Sequence, residues 1–191
     1  MTVNTDAPAY IVDGTLTDGE AWVALATATP DGANVTFTST TGANDWSQYQ
    51  DLVILIYART AGSGTWRDIM MNFNNDTGSN YSNQDMYGSG SSAAAQIANP
   101  AYSAIVFMPG SSATANVFGA AVYNIFDINS GKYTCATTEG AAMGGNPDII
   151  WHATGFWESQ APVTEIDLTT ASGFAAGSRF DLFGVLPRMV S

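Results

Sequence analysis

Hydrophobic and polar residues alternate with a period of two along much of the chain. In residues 148–158, Ile149 and Trp151 fall on one side of the pattern, and Ile150 and His152 fall on the other. Successive side chains of a β-strand point to opposite faces, so this alternation predicts a strand. No stretch shows a sustained period near 3.6, so no helix is expected. Similar patterns predict strands over residues 9–12, 35–38, 66–73, 101–108, 163–169 and 178–185.

Other segments of the chain do not alternate in this way. Residues 52–59, LVILIYAR, form a short continuous apolar run, which predicts a central strand buried on both faces. Residues 21–29 fit either a strand or a helical turn, and the Pro-Asp-Gly turn that follows favours a strand. Residues 88–95 are rich in Gly, Ser and Ala and are expected to form a surface loop. A flexible loop is expected at 139–147.

The clearest local prediction is a hairpin between residues 115–128 and 132–138, with Asn129-Ser130-Gly131 as its turn. About nine to eleven short strands separated by Gly- and Pro-marked turns indicate an all-β fold, an antiparallel β-sandwich. A chain of 191 residues is long enough for one well-buried core. We therefore expect an N-terminal arm over residues 1–8 and a single sandwich domain over residues 9–191.

Charge is scarce in this chain. Only 12% of residues are charged, about half of the usual ~25%, and the net charge is -12. The surface must therefore consist mostly of uncharged polar residues. An acidic chain repels phosphate backbones, so no nucleic-acid partner is expected. No apolar run reaches the ~18 residues of a membrane span, and the polar start lacks the features of a signal peptide. We therefore expect no membrane partner.

Candidate catalytic groups are few. Cys135 is the only cysteine, which rules out an intrachain disulfide and fits a reducing compartment. It is expected to be a small buried hydrophobe. His152 is the only histidine, and a core or interface position is the preferred interpretation. A glycosidase would need two carboxylates at a defined separation. Candidates exist, but solvated strand edges explain them better: Asp127, Glu139, Asp148 and Glu158.

An Asn- and Asp-rich run follows the strand predicted at residues 66–73. Asn and Asp side chains bond their own backbone and tolerate left-handed conformations, so the run predicts a turn. Calcium would need six to eight oxygen ligands with several carboxylates, and only two carboxylates are available. A structural turn is the preferred interpretation, and no metal or cofactor is expected. The residues weighed as calcium ligands are Asp68, Asn72, Asn74, Asn75, Asp76 and Asn80.

Aromatic residues offer a second kind of candidate site. Most are expected to anchor the core. Four lie in polar surroundings and are candidates for contact with a neighbouring subunit or a glycan: Trp46, Tyr49, Tyr81 and Tyr87.

Several segments, in this order and spacing, resemble a family of tailed-phage virion proteins with a jelly-roll-like sandwich. The pattern includes a VTFTS strand, a DLVILI strand that ends in Arg, and a strand that ends FNNDTG followed by NYS. A K-Y pair, a G-x-W segment, a TEIDL strand and a GS-x-F-x-LFG end complete it. The matching residues are 35–39, 51–59, 72–82, 132–133, 155–157, 164–168 and 177–184. The connection at 40–50 is longer here than the family pattern would have, which predicts a local extension.

The resemblance implies a location in the virion after synthesis in the host cytoplasm, and a non-enzymatic structural role. Members serve as head decoration or cement proteins, or as domains of tail fibres and other appendages. The compact chain favours a decoration protein that bridges major capsid protein subunits and copies of itself, with a trimer suggested by analogy. The alternative is a tail-fibre or appendage module that binds host surface glycans. A hydrolase ranks third because it needs two carboxylates in a cleft.

Overall fold

A computed structural model of the protein describes residues 10–12, 15–17, 22–97, 101–145 and 147–186. The arm predicted at residues 1–8 lies outside these. The described chain contains 14 strands and two 3-10 turns, at Gly42–Asn44 and Trp46–Gln48. The strands are β1 Tyr10–Val12, β2 Thr15–Thr17, β3 Trp22–Ala28, β4 Val35–Thr38, β5 Asp51–Ala58, β6 Trp66–Phe73, β7 Tyr81–Ser89, β8 Ser92–Ile97, β9 Ser103–Pro109, β10 Gly119–Phe126, β11 Thr134–Ala142, β12 Ile149–Trp157, β13 Glu165–Thr169 and β14 Arg179–Val185.

Twelve of these strands form two antiparallel sheets. The larger sheet has eight strands in the order β3-β14-β5-β10-β11-β12-β7-β8, and the smaller has four in the order β4-β13-β6-β9. The chain crosses between the sheets repeatedly, as in jelly-roll-like sandwiches. β1 and β2 pair only with each other in the described chain. The predicted all-β antiparallel sandwich is confirmed, with one strand more in the two sheets than the upper expectation of eleven.

The core lies between the two sheets and has the alternation that the sequence predicts. On β6, Ile69, Met71 and Phe73 are fully buried, and they face the large sheet. On β13, Ile166 and Leu168 are fully buried, whereas the alternate residues Glu165, Asp167 and Thr169 are partly exposed. Strand β3 and the β10–β11 hairpin also form as predicted.

Two strands contradict the predicted loop at residues 88–95. β7 extends to Ser89, and β8 begins at Ser92, so the two make a hairpin at the end of the large sheet. β7 was missed because its inward positions include the polar residues Asn83 and Asp85. β8 was missed because all six of its residues are exposed, so burial imposes no alternation on its sequence. The loop predicted at 139–147 is also shorter than expected, since β11 continues to Ala142.

Strand β5 is central, as predicted, but it is not buried on both faces. It lies between β14 and β10 in the large sheet. Leu52, Ile54 and Ile56 are buried, whereas Leu55 is 40% exposed and Tyr57 is 50% exposed. The small sheet covers one face of the large sheet, so Leu55 and Tyr57 on the other face of β5 lie open, whereas Val53 on that face is 3% exposed. An apolar run therefore does not prove burial on both sides.

Candidate functional site

Three of the four aromatic residues predicted to contact a partner are buried inside the chain. Trp46 is 1% exposed, Tyr49 3% and Tyr81 2%, so none presents its ring to an external ligand. Their polar tips are satisfied internally. The Tyr49 hydroxyl donates to the Ala43 carbonyl at 2.7 Å, and the Tyr81 hydroxyl donates to the Asp76 carbonyl at 2.9 Å. The contact prediction is wrong for these three residues, which anchor polar connections to the core.

Tyr87 is the fourth candidate, and it is partly exposed. Its ring stacks on Trp151 with centroids 4.8 Å apart and planes 5° from parallel. Trp151 in turn contacts Phe107 of β9 at 4.3 Å. Tyr87 therefore covers the edge of the core with one face of its ring, and its predicted contact with a partner stays a prediction.

The Asn-rich run after β6 is a hydrogen-bonded turn. Asn74 and Asn75 adopt positive φ angles of 52° and 57°, as expected of a run that tolerates left-handed backbone. The Asp76 carboxylate accepts hydrogen bonds from the Gly78 N–H and from the indole of Trp157. These donors lower the pKa of Asp76, with the Trp157 hydrogen bond as the largest cause. Oδ1 thus stabilises the turn itself, and Oδ2 joins the turn to β12.

The candidate catalytic groups are not brought together. Cys135 lies opposite Phe156 in the β11–β12 register, and His152 is four residues further along β12. At about 3.4 Å per residue the two side chains are on the order of 14 Å apart, far beyond hydrogen-bond reach. Cys135 is exposed, so its predicted burial is wrong: it lies on the side of β11 that the small sheet does not cover.

The four candidate carboxylates are distributed over β10, β11 and β12. Asp148 precedes β12 and Glu158 follows it, so about 30 Å of strand separates them. Glu139 lies in the middle of β11. Asp127 follows β10 at the end where Glu158 follows β12, and two strand spacings, about 10 Å, separate them. Among the described residues, no group of three or more His, Cys, Asp or Glu side chains is placed to hold a metal ion. The helical segments that the structure describes are too short to cross a bilayer.

The large sheet has one face turned away from the small sheet, called here the outer face. Registers place one residue from each of six strands side by side on it, a row about 24 Å long at ~4.8 Å per strand. Of the ten large hydrophobic side chains that are exposed in the described chain, eight fall on this face by register. The six-strand row is Tyr57, Ala120, Ala141, Ile150, Gly88 and Ala93. The eight exposed hydrophobics are Trp22, Leu55, Tyr57, Met86, Ile97, Phe126, Ile150 and Phe156.

The outer face carries little charge. In the part formed by β10, β11, β12, β7 and β8, Glu139 is the one charged residue of the described chain that points outward. Near the opposite edge, Arg179 pairs with Asp181 at 2.8 Å, and Asp51 at the start of β5 is the other outward charge by register. A shallow depression of about 800 Å³ lies over β7, β8, β11 and β12, and it is lined mainly by Ala, Gly, Met86 and Ile150. This is a broad apolar surface with small residues at its centre.

Comparison with known proteins adds little to this description. No protein-family model matches the chain, and no curated protein matches it. One solved structure that was found is the CBM2 module of the evolved Dit of Lactobacillus casei BL23 phage J-1. The alignment covers 96% of this chain and 82% of that chain, at 11% identity and a TM-score of 0.20. A TM-score of this size shows neither a shared fold nor a shared function.

Sequence reasoning missed the outer face because its hydrophobic residues look like core residues. Leu55 and Tyr57 belong to an apolar run, and Ile150 and Phe156 alternate with large buried residues on β12. One signal was present. β12 carries large apolar residues on both of its faces, whereas a strand with one face in solvent usually carries them only on the covered face.

Proposed function

We propose that this protein is a non-enzymatic structural protein of a tailed phage, and that it decorates the capsid by docking its outer face on neighbouring shell subunits. The observation that carries the proposal is the concentration of exposed hydrophobic residues on one nearly uncharged sheet face. Large exposed apolar patches mark interaction sites in soluble proteins. The virion location comes from the family pattern in the sequence.

The free energy expected from burying the outer face is suited to a decoration protein. Fully burying a large apolar side chain contributes about 1.5–3 kcal/mol, and residues such as Tyr57, Met86 and Ile150 are already about half covered. Each would add about 1 kcal/mol on docking, before the costs of association are subtracted. Because the contact exists only in the assembled particle, it stabilises the shell by mass action. Apolar contacts are also less sensitive to salt than ion pairs are.

The partner surface should share this chemistry. A face with few charged groups gains most from a flat, largely apolar and uncharged patch on the capsid subunit. A strongly basic patch would fit poorly, because the outer face offers Glu139 as its one outward acidic group over five of its described strands. Repeated docking around a shell would also place copies of this chain near one another, as expected of a decoration protein.

A second candidate is a tail-fibre or appendage module that binds host surface glycans. One observation favours it. Tyr133 and Phe156 stack nearly parallel, 6.2 Å apart and 9° from parallel, and they are 54% and 37% exposed. Phe126 is near them, since Cys135 pairs with both Phe126 and Phe156. Flat exposed aromatic rings offer a platform on which sugar rings can stack.

The deciding experiment is to locate the protein in particles of the phage that carries this sequence, by electron cryo-microscopy at subunit resolution. Density over the shell lattice, with the outer face against capsid subunits, would support the cement function. Density confined to the tail or its fibres would refute it, and a glycan array would then test the second candidate.

A binding experiment with purified particles lacking the protein adds residue-level detail. Leu55→Lys places a charge on the outer face at a side chain that is 40% exposed. We expect it to weaken binding at least tenfold, because a charge must then be desolvated. Thr77→Lys adds the same charge in an exposed turn away from this face and should bind like the parent. Equal binding by both variants would contradict docking through the outer face.

A further inference from the structure

We propose that β8 pairs in antiparallel orientation with β8 of a second copy of this chain, so that two large sheets join edge to edge. Within the described chain, β8 is hydrogen-bonded on one side only, to β7. Its other side presents the N–H and C=O groups of an open strand edge, which can template pairing with another strand. The pairing would hold whether or not the protein decorates a shell.

Within the described chain, the other edges of the two layers of the sandwich are protected and the β8 edge is not. β3, at the opposite edge of the large sheet, pairs with β14 through a register irregularity between Leu182 and Phe183. β4 has only four residues, and β9 is mostly buried, ends at Pro109 and pairs with β6 irregularly. Short strands, bulges and proline are the devices by which proteins blunt sheet edges. β8 has six residues in regular register and contains no proline.

Charge also selects this edge for contact between identical copies. The chain has 17 acidic residues against 5 basic ones, so most pairs of surface patches on two copies would repel. β8, SAAAQI, has no charged residue, and the outward residues that flank it on β7 include Gln84 and Met86. Asp85 is the nearest acid on β7, but it is 1% exposed and accepts a hydrogen bond from Gln96. Two copies can therefore meet at β8 without bringing like charges together.

The sequence of β8 fits a two-fold contact. Antiparallel pairing of a strand with its own copy makes an isologous interface, in which the same patch is used twice. Small side chains at Ala93, Ala94 and Ala95 let the two backbones approach without protruding groups on either face of the joint sheet. The two-fold axis that relates two antiparallel copies of β8 is perpendicular to the sheet, so the outer faces of both copies point in the same direction. The dimer would present one continuous apolar surface with twice the area.

The mass of the full chain in solution tests the pairing. Sedimentation equilibrium over micromolar to millimolar concentrations should show reversible association from 20.0 kDa to twice that mass. A monomer throughout this range would overturn the proposal. A mass of three copies would overturn it as well, because a single two-fold edge contact closes at two.

In the proposed register the two-fold axis passes at Ala94, so that the two Ala94 side chains are neighbours. Charged substitutions at Ala94 then distinguish loss of the interface from loss of the fold. Ala94→Lys and Ala94→Glu should each raise the dimer dissociation constant at least tenfold, because two like charges then meet at the joint. An equimolar mixture of the two variants should recover the dimer, since Lys then faces Glu. Ser79→Lys adds the same charge in an exposed turn and should dimerise like the parent. Dimerisation that is unchanged by Ala94→Lys, or a mixture that stays monomeric, would refute pairing through β8.

A further variant separates dimerisation through β8 from docking of the outer face on capsid subunits. Leu55 lies on β5, five strands away from β8 in the large sheet. Leu55→Lys should leave the dimer intact while it weakens binding to particles. Loss of the dimer in Leu55→Lys would mean that the outer face, rather than the β8 edge, joins the copies.

Discussion

The indole Nε1 of Trp157 donates a 2.7 Å hydrogen bond to Oδ2 of Asp76. Trp157 ends β12 in the large sheet and is 3% exposed, whereas Asp76 belongs to the turn that follows β6 in the small sheet. The bond thus ties the two layers of the sandwich together at one end. Asn80 Nδ2 donates to the same carboxylate oxygen at 2.9 Å, which fixes the other side of the turn.

Asp76→Ala should destabilise the protein by about 1–3 kcal/mol, because the buried indole N–H of Trp157 loses its acceptor. For a chain of this size, each kcal/mol corresponds to a fall in Tm of about 2–4 °C. Urea and thermal unfolding at pH 7 measure the effect. Asp31→Ala, in an exposed turn, is the matched control and should stay within about 0.5 kcal/mol of the parent. Equal losses in the two variants would contradict the role of this bond.

The same carboxylate predicts a pH dependence. The hydrogen bond from Trp157 is the largest of the causes that lower the pKa of Asp76 below its ordinary value of 3.8. A lowered folded-state pKa stabilises the native protein above 3.8, and this contribution is lost as the pH falls through the folded-state value. The stability difference between parent and Asp76→Ala should therefore shrink below pH 3.8. A difference that is constant down to pH 2 would contradict this.

Asp85→Asn should stabilise the protein at neutral pH. Burial raises the pKa of Asp85 above 3.8, and one of its oxygens is buried without a hydrogen-bond partner. The ionised carboxylate therefore costs the native state free energy above the folded-state pKa, and this cost disappears below 3.8, where both states are protonated. We expect a gain on the order of 1 kcal/mol at pH 7, the scale of a poorly paired buried polar group.

Thermal unfolding as a function of pH measures that gain. Asp31→Asn is the control for the change in net charge, because Asp31 is exposed. The advantage of Asp85→Asn over this control should be full at pH 7 and should vanish as the pH falls below 3.8. A variant that is less stable than the parent at pH 7 would show that the carboxylate is needed where it is.

Arg59→Lys should loosen the loop between β9 and β10. The Arg59 guanidinium donates four hydrogen bonds to backbone carbonyls of that loop, and an ammonium group cannot span them. We expect a loss of about 1–3 kcal/mol and faster proteolytic cleavage within residues 111–117. Arg67→Lys is the control, since Arg67 makes a single 3.4 Å bond to Ser63. Unchanged cleavage in Arg59→Lys would refute the role. The four acceptors are Ser111, Ala113, Thr114 and Val117.

Gly184→Ala should destabilise the sandwich by overpacking. A Cβ at Gly184 would come within 2.5–2.7 Å of ring carbons of Tyr49, which is buried and held by its bond to Ala43. Added carbon in a packed core costs about 1–3 kcal/mol, and urea unfolding would show it. Gly88→Ala is the control, because its nearest neighbour is the flexible, 62% exposed side chain of Ile150 at 3.3 Å. Similar stability of both variants would mean that Tyr49 can move.

Cys135 should react with a thiol reagent in the folded protein. It is exposed on the outer face, so the reaction should not wait for unfolding. We expect the rate of thiol modification to be unchanged by an added osmolyte that stabilises the folded state. The free energy of unfolding of Cys135→Ser should stay within about 0.5 kcal/mol of the parent value. A rate that falls in proportion to the unfolded population would show that the thiol is buried.

The sequence by itself determined the fold class and most of the strands. Alternation placed Ile69, Met71 and Phe73 in the core, and the Asn129-Ser130-Gly131 turn placed the β10–β11 hairpin. The Asn-rich run was correctly predicted to be a turn with left-handed residues. These features depend on local backbone preference and on a hydrophobic period of two, and both are properties of the local sequence.

Only the tertiary structure decided which apolar faces are covered. Leu55, Tyr57 and Ile150 have the same residue types as the core, yet they are exposed because a four-stranded sheet covers only one side of an eight-stranded one. Tyr49 and Tyr81 looked like surface aromatics because their neighbours in sequence are polar, but their hydroxyls find backbone acceptors inside. Burial depends on contacts between strands far apart in sequence, and a local pattern does not contain them.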